Sequence, residues 1–116
     1  MPSQGRKHRG YKSQDILADK LVVEGWPYAK STGAGRSGTD VTGTIGIDWE
    51  VKARKDFNPS AAIKQLKERS DGKTLPIAVL RLNGQGPATI GDWPAVLRLD
   101  DLIRLLKEAG YPDLTP

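Results

Sequence analysis

Asp40, Glu50 and Lys52 are the residues of this chain whose types and spacing could do chemistry. Glu50 and Lys52 lie in a stretch whose apolar residues alternate: Ile45, Ile47, Trp49, Val51 and Ala53. Between them stand Gly46, Asp48, Glu50 and Lys52. Such alternation predicts a strand with one face in a core. Side chains two apart on a strand stand about 6–7 Å apart, so Asp48, Glu50 and Lys52 project together. A strand this rich in Ile, Trp and Val is expected near the middle of a sheet, where a charge is costly unless paired or bound to a cation. Carboxylates converging in a partly dry place repel one another until a proton or a cation neutralises them. Oxygen donors without imidazole or thiolate select a hard cation, Mg²⁺ or Mn²⁺. Such an ion polarises a phosphoryl oxygen and activates a bound water, while a neighbouring lysine stabilises charge on phosphorus. These are the parts needed to hydrolyse a phosphodiester. The competing reading is a Glu50–Lys52 salt bridge on a solvated strand face, and spacing alone favours it. The alternating strand, the Gly-rich loop before it and the basic helix after it lift the chemical reading.

Composition narrows the field. A chain of 116 residues suffices for one domain. With 37% hydrophobic and 28% charged residues and clear periodic segments, it should fold. The absence of cysteine excludes disulfides, thiolate catalysis and cysteine zinc sites. The single histidine, His8, sits in a basic stretch, so catalysis by a histidine base is not expected. No apolar run approaches a membrane span, so no membrane partner is expected. A net charge of +4 suits a polyanionic partner without requiring one.

Residues 1–12 carry Arg6, Lys7, Arg9 and Lys12 without an acid. They read as a basic, flexible N-terminal arm, either merely solvated or in contact with phosphate. Residues 13–116 read as one domain. Ser13 is a candidate N-cap for a helix with Ile16, Leu17 and Leu21 inward, ending at Gly25. Trp26 to Ala29 suggests a short strand beginning near Pro27. Lys30 to Gly38 is a Gly- and Ser-rich loop carrying Lys30 and Arg36, and it fits no nucleotide-binding fingerprint. Asp40 opens a second strand, Gly43 to Gly46 turns the chain, and the strand from Ile47 returns, so that Asp40 and Glu50 lie on neighbouring strands.

Asn58-Pro59 is an N-cap and first-turn proline for a helix to about Ser70, with Ala62, Ile63 and Leu66 inward. Lys64, Gln65, Lys67 and Arg69 decorate it. Leu75 to Leu82 is a nearly continuous apolar run, the pattern of a strand covered on both faces. Ala88 to Ile90 and Ala95 to Leu97 are short strand candidates. Asp100 or Asp101 is expected to cap a last helix with Leu102, Ile103, Leu105, Leu106 and Ala109 inward. The order predicts an α/β fold, a mixed central sheet flanked by helices.

At these residues the chain resembles the PD-(D/E)XK nuclease superfamily, and within it the small Holliday junction resolvase-like nucleases of archaea and phages. The resemblance runs roughly from Gly10 to Leu82. It implies a restriction-endonuclease-like core in which a first helix precedes a hairpin bearing the acid pair. The first motif acid falls on Asp40, with Thr39 where the family has proline. Glu-x-Lys falls on Glu50, Val51 and Lys52, and Gln65 matches a glutamine often found on the following helix. The resemblance implies Asp40, Glu50, Lys52 and Gln65 as catalytic. It implies Asp40, Glu50 and the Val51 carbonyl as the shell of Mg²⁺ or Mn²⁺. The family's loop serine falls on Ser31 or Ser37, and its first-helix glutamate is replaced in the region of Gln14 and Asp15.

The implied function is a metal-dependent, structure-selective DNA endonuclease, with Holliday junction resolution as the leading activity. Arg6, Lys7, Arg9, Lys12, Lys30, Ser31, Arg36 and Ser37 would contact DNA. A branched-DNA or flap nickase and a non-catalytic DNA-binding module on a nuclease core are the alternatives. A cytoplasmic location is expected, in the host's cytoplasm if the chain is phage-encoded. A symmetric homodimer is expected, since resolving a junction takes two incisions. The apolar side of the last helix and the region of Trp93-Pro94 are the candidate surfaces, and either could equally be core.

Overall fold

Two β-strands, Ile47–Lys52 and Leu75–Leu80, run parallel with a helix between them, and the rest of the chain is arranged on this unit. The computed structural model describes residues 2–33, 38–53, 58–69 and 72–113, with side chains for 12–33, 38–53, 58–68 and 72–113. In chain order the elements are α1 (Pro2–Glu24), β1 (Lys30–Ser31), β2 (Val41–Thr42), β3 (Ile47–Lys52), α2 (Pro59–Arg69), β4 (Leu75–Leu80), a kinked 3-10 segment (Pro87–Asp92), β5 (Ala95–Val96), α3 (Leu99–Glu108) and a final 3-10 turn (Tyr111–Asp113). β3, β4 and β5 form a mixed sheet in that order, parallel between β3 and β4 and antiparallel between β4 and β5. β1 and β2 form a separate antiparallel ladder pairing Lys30 with Thr42 and Ser31 with Val41. The fold is α/β, as expected.

The core lies on both sides of the sheet. Ile16, Leu17, Ala18 and Leu21 of α1 pack with Val41, Trp49, Val79 and Trp93. A second cluster joins Ala62 and Leu66 of α2 to Ala78 of β4, with Val96 against it. β4 is thus covered on both faces, as its unbroken apolar run predicts. The N-cap of α2 is also as expected: the Ala61 N–H donates to Asn58 Oδ1 at 3.1 Å.

Several elements differ from expectation. α1 begins at Pro2 and runs through Ser13, so the backbone of the basic stretch is helical and Ser13 is a fully buried helix-interior residue, not a cap. Trp26 to Ala29 is a turn. The Trp26 N–H closes on Leu21 O at 2.9 Å and the Ala29 N–H on Trp26 O at 3.1 Å, leaving no strand there. Pro87–Asp92 is 3-10 where the sequence suggests a strand at Ala88 to Ile90; the Thr89 N–H bonds Gly86 O at 3.1 Å. Ile45 is fully exposed in the turn before β3, so the inward alternation begins at Ile47. Arg98 stands at the N-cap position of α3 without a side-chain cap, and Asp100 and Asp101 lie in the first turn. Leu102, Ile103, Leu106 and Ala109 of α3 are exposed and Leu105 is half-buried, while Asp101 is buried. Among the described residues no helix is long and apolar enough to cross a membrane.

Candidate functional site

Among the described residues β3 is an edge strand of its sheet, paired on one side only, by β4. An edge leaves alternate backbone groups without ladder partners. Here side chains supply them. The Trp49 N–H donates to Thr39 Oγ1 at 2.9 Å, and the Val51 N–H donates to Asp40 Oδ2 at 2.7 Å. The Asp40 N–H in turn donates to Trp49 O at 2.8 Å. The Thr39-Asp40 segment therefore substitutes for a fourth strand, and the Asp40 carboxylate is fixed against the backbone that carries Glu50.

Gly43, just after β2, lets the chain pass close to the Trp26–Ala29 turn. It has a φ of +83°, and a Cβ there would lie 2.0 Å from the Tyr28 carbonyl oxygen. Only glycine combines that dihedral with that backbone approach.

Both acids are nearly out of solvent, Asp40 at 9% and Glu50 at 8% exposure. The Lys52 Nζ lies 2.7 Å from Glu50 Oε1. The salt bridge of the competing reading thus exists, but not on a solvated face, because both partners are largely buried. Gln65 Nε2 of α2 reaches Glu50 Oε1 at 3.5 Å, the outer edge of hydrogen-bond range. β3 is therefore covered on both faces: Trp49 faces α1 and its cluster, and Glu50 faces α2.

The helix-one residues have two fates. Asp15 Oδ1 accepts a hydrogen bond from Ser31 Oγ, between α1 and β1. Gln14 is buried, and its Oε1 has no hydrogen-bond partner among the described residues. A buried amide oxygen left in this state costs on the order of 1–3 kcal/mol. Lys12 and Lys30 are exposed, on α1 and β1. Arg6, Lys7 and Arg9 fall on α1, and their side chains lie outside the described ones; Arg36 and Ser37 lie outside the described residues. The structure thus brings together Asp40, Glu50, Val51, Lys52 and Gln65.

Two residues of the arrangement escape a reading of the sequence. Thr39 stands out there only as a replacement for proline, yet its hydroxyl accepts from Trp49 N–H and donates to Val41 O at 2.9 Å. Arg81 follows the apolar run of β4. Its N–H donates to Lys52 O at 2.8 Å, its Nη1 to Ser13 Oγ at 3.2 Å and its Nε to Gln85 O at 2.8 Å, with the guanidinium 5.6 Å from the Trp93 ring centre. An arginine directly after a buried strand is the signal that could have found it, since a partly buried guanidinium still needs several acceptors.

The donor set consists of oxygens: the two carboxylates and neighbouring backbone carbonyls. It suits a hard divalent cation that keeps much of its water. Among the described residues no group of three or more His, Cys, Asp or Glu side chains is placed to hold a metal. Such a cation would therefore rest on Asp40, Glu50, main chain and water. No protein-family model matches the chain, and no curated protein or solved structure is significantly similar to it.

Proposed function

We propose that this protein is a metal-dependent endonuclease that hydrolyses phosphodiesters in branched DNA, with the four-way junction as its leading substrate and a restriction-endonuclease-like core as its fold. The observation that carries the reading is the burial of Asp40 and Glu50 beside one another, Asp40 bonded to the Val51 N–H next to Glu50, with Lys52 on Glu50. Buried ionised groups are a poor way to stabilise a fold, since apolar residues of similar volume do as well or better. Their gathering at one place, on a strand that otherwise reads as core, supports a working site. The element order supports the core assignment: a first helix, a segment bearing the first acid, a strand bearing Glu-x-Lys, then a helix and a parallel strand.

On this reading Asp40, Glu50 and the Val51 carbonyl would hold Mg²⁺ or Mn²⁺. The ion when bound supplies Lewis acidity toward the phosphate and a more acidic water. Val51 N–H fixes the angle of the Asp40 carboxylate. Lys52 brings positive charge to where a phosphorane would accumulate negative charge. Gln65 orients Glu50 from the α2 side. Lys12, Lys30 and the exposed Lys64 and Lys67 of α2 are available to phosphates.

The test is cleavage of linear, flap and four-way DNA of matched sequence with Mg²⁺, with Mn²⁺ and with EDTA. Metal-dependent cutting strongest on the four-way substrate is expected. Equal cutting of flaps would favour the branched-DNA nickase, and no cutting of any substrate would refute the enzyme. A second reading has its own support: the Glu50–Lys52 pair is already satisfied at 2.7 Å, as a DNA-binding module without catalysis would leave it. Junction binding without cleavage in any metal is its outcome. In either case neutralising Lys12 or Lys30 should lower the slope of log K against log[salt] by about 0.9 for each phosphate that the lysine no longer neutralises.

A further inference from the structure

Glu50 already has a cation beside it in this structure. Its Oε1 lies 2.7 Å from the Lys52 ammonium, and the two side chains are only 10% and 18% exposed. A carboxylate so far out of water needs a positive charge or a proton next to it, and Lys52 supplies the charge. The proposed function asks both partners for something else: Glu50 is to hold a divalent cation and Lys52 is to face a phosphate. A divalent ion and an ammonium on one poorly solvated carboxylate repel each other strongly at such short range. Lys52 in its present place and a cation on Glu50 therefore oppose each other.

The surroundings let the ammonium leave without disturbing the rest. The Lys52 carbonyl accepts the Arg81 N–H at 2.8 Å, and β4 holds Glu50 and Lys52 in register with Ala78 and Leu80. The Asp40 carboxylate is tied to the Val51 N–H. Backbone and acid pair thus stay where they are, and only a compact charge on a flexible stem has to move. Gln65 is exposed on α2, and its amide stands 3.5 Å from the same Glu50 oxygen. That distance leaves it room to close to an ordinary hydrogen bond when the ammonium withdraws. The natural destination of the ammonium is a phosphate oxygen, which binds lysine as a point charge.

We propose that Lys52 is a resident counter-ion that holds the cation's place on Glu50 in the DNA-free protein, and that an incoming phosphodiester takes the ammonium over, so that cation and DNA load the site together. The inference rests on the cation reading of the site and adds its regulation. The linkage is reciprocal: the factor by which DNA tightens the cation is the factor by which the cation tightens DNA. The 2.7 Å pair, which a non-catalytic module would also show, is then the resting state of the enzyme.

The test is uptake of Mn²⁺ by the DNA-free protein, read from the electron paramagnetic resonance of the unbound ion. Lys52→Gln removes the charge and leaves Glu50 an amide donor. It should bind Mn²⁺ more tightly than wild type by about 5–150-fold, the ordinary range of coupling between sites. Lys52→Arg keeps the charge and should bring no such gain. The dinucleotide thymidylyl-thymidine, a minimal phosphodiester, should tighten Mn²⁺ by a larger factor in wild type than in Lys52→Gln. The wild type supplies a readout that does not depend on a variant folding: the side-chain ¹⁵N resonance of Lys52 should move from paired to solvated as Mg²⁺ saturates the site. Equal Mn²⁺ affinities of wild type and Lys52→Gln, or a Lys52 resonance unmoved at saturating Mg²⁺, overturn the exchange and leave the cation site standing. A dinucleotide that tightens both proteins equally overturns the part given to the phosphate. Uptake of no ion by either protein refutes the cation site, and the proposed function with it.

Discussion

Replacing Asp40 separates its two roles, because asparagine keeps one and alanine keeps neither. The structural role is to accept the Val51 N–H at 2.7 Å in a nearly buried position. Asp40→Ala leaves that donor without its acceptor. Hydrogen bonds to charged groups contribute about 1.5–3 kcal/mol, so the loss should be at least of that order. Unfolding entropy scales with length, and for a chain of 116 residues each kcal/mol corresponds to about 4 °C in Tm. Asp40→Ala should therefore melt roughly 6–12 °C below wild type. Asp40→Asn retains an amide oxygen for Val51 and loses only the charge, which should cost about 1 kcal/mol or less, or a few degrees. Cleavage should behave differently. Neither variant can offer a carboxylate to a cation, so both should lose cutting of four-way DNA by a factor of about 100 or more, on the scale of a missing charge-stabilising group. Calorimetry and a single-turnover cleavage assay, run side by side at one metal concentration, give both numbers. An asparagine variant that is stable and cuts at the wild-type rate would refute the assignment of Asp40 to the chemistry and leave only its structural role.

Three further perturbations bear on the same region. Glu50→Leu with Lys52→Met replaces the 2.7 Å pair by apolar side chains; Tm should hold or rise while cleavage disappears, and a clear fall in Tm would show that the pair is there for stability. Gln14→Met removes a buried oxygen that lacks a partner among the described residues, so urea unfolding should give equal or greater stability; a loss above about 1 kcal/mol would mean that the amide is satisfied in solution. Gly43→Ala forces a Cβ to within 2.0 Å of Tyr28 O at a φ of +83°, and should cost more than about 3 kcal/mol, read as poor soluble yield or a collapse in Tm.

What the sequence reveals depends on whether a feature is periodic or local. The alternation from Ile47 to Val51 locates β3, the apolar run locates β4, and Asn58-Pro59 places the start of α2 within a residue. The acid pair and lysine can be singled out because charges break the pattern of a core strand. The position of β3 at an edge is not legible, since a strand closed by side chains has the same composition as one closed by a neighbour. Thr39 and Asp40 bond to backbone, and such bonds leave no periodic trace. α3 reads as amphipathic, but amphipathicity states which side is apolar, not whether this chain covers it. The start of α1 is invisible because a polar, basic stretch carries no hydrophobic period even when it continues a helix.

An uncovered strand edge is a template on which another chain can add a strand, and proteins guard against it with charge, bulges or cover. On β3 the guard consists of Thr39 and Asp40. The residue proposed to bind the cation is thus also one that keeps this edge closed. Variation at Asp40 to a small apolar residue would release the Val51 N–H to pair with a neighbouring chain, and such molecules would leave solution as aggregates. A genetic screen for inactive variants would then recover Asp40 changes largely among insoluble proteins, and could not separate the proposed role in the chemistry from the role in folding. Asparagine, which keeps the edge closed, is the substitution that such a screen would have to include.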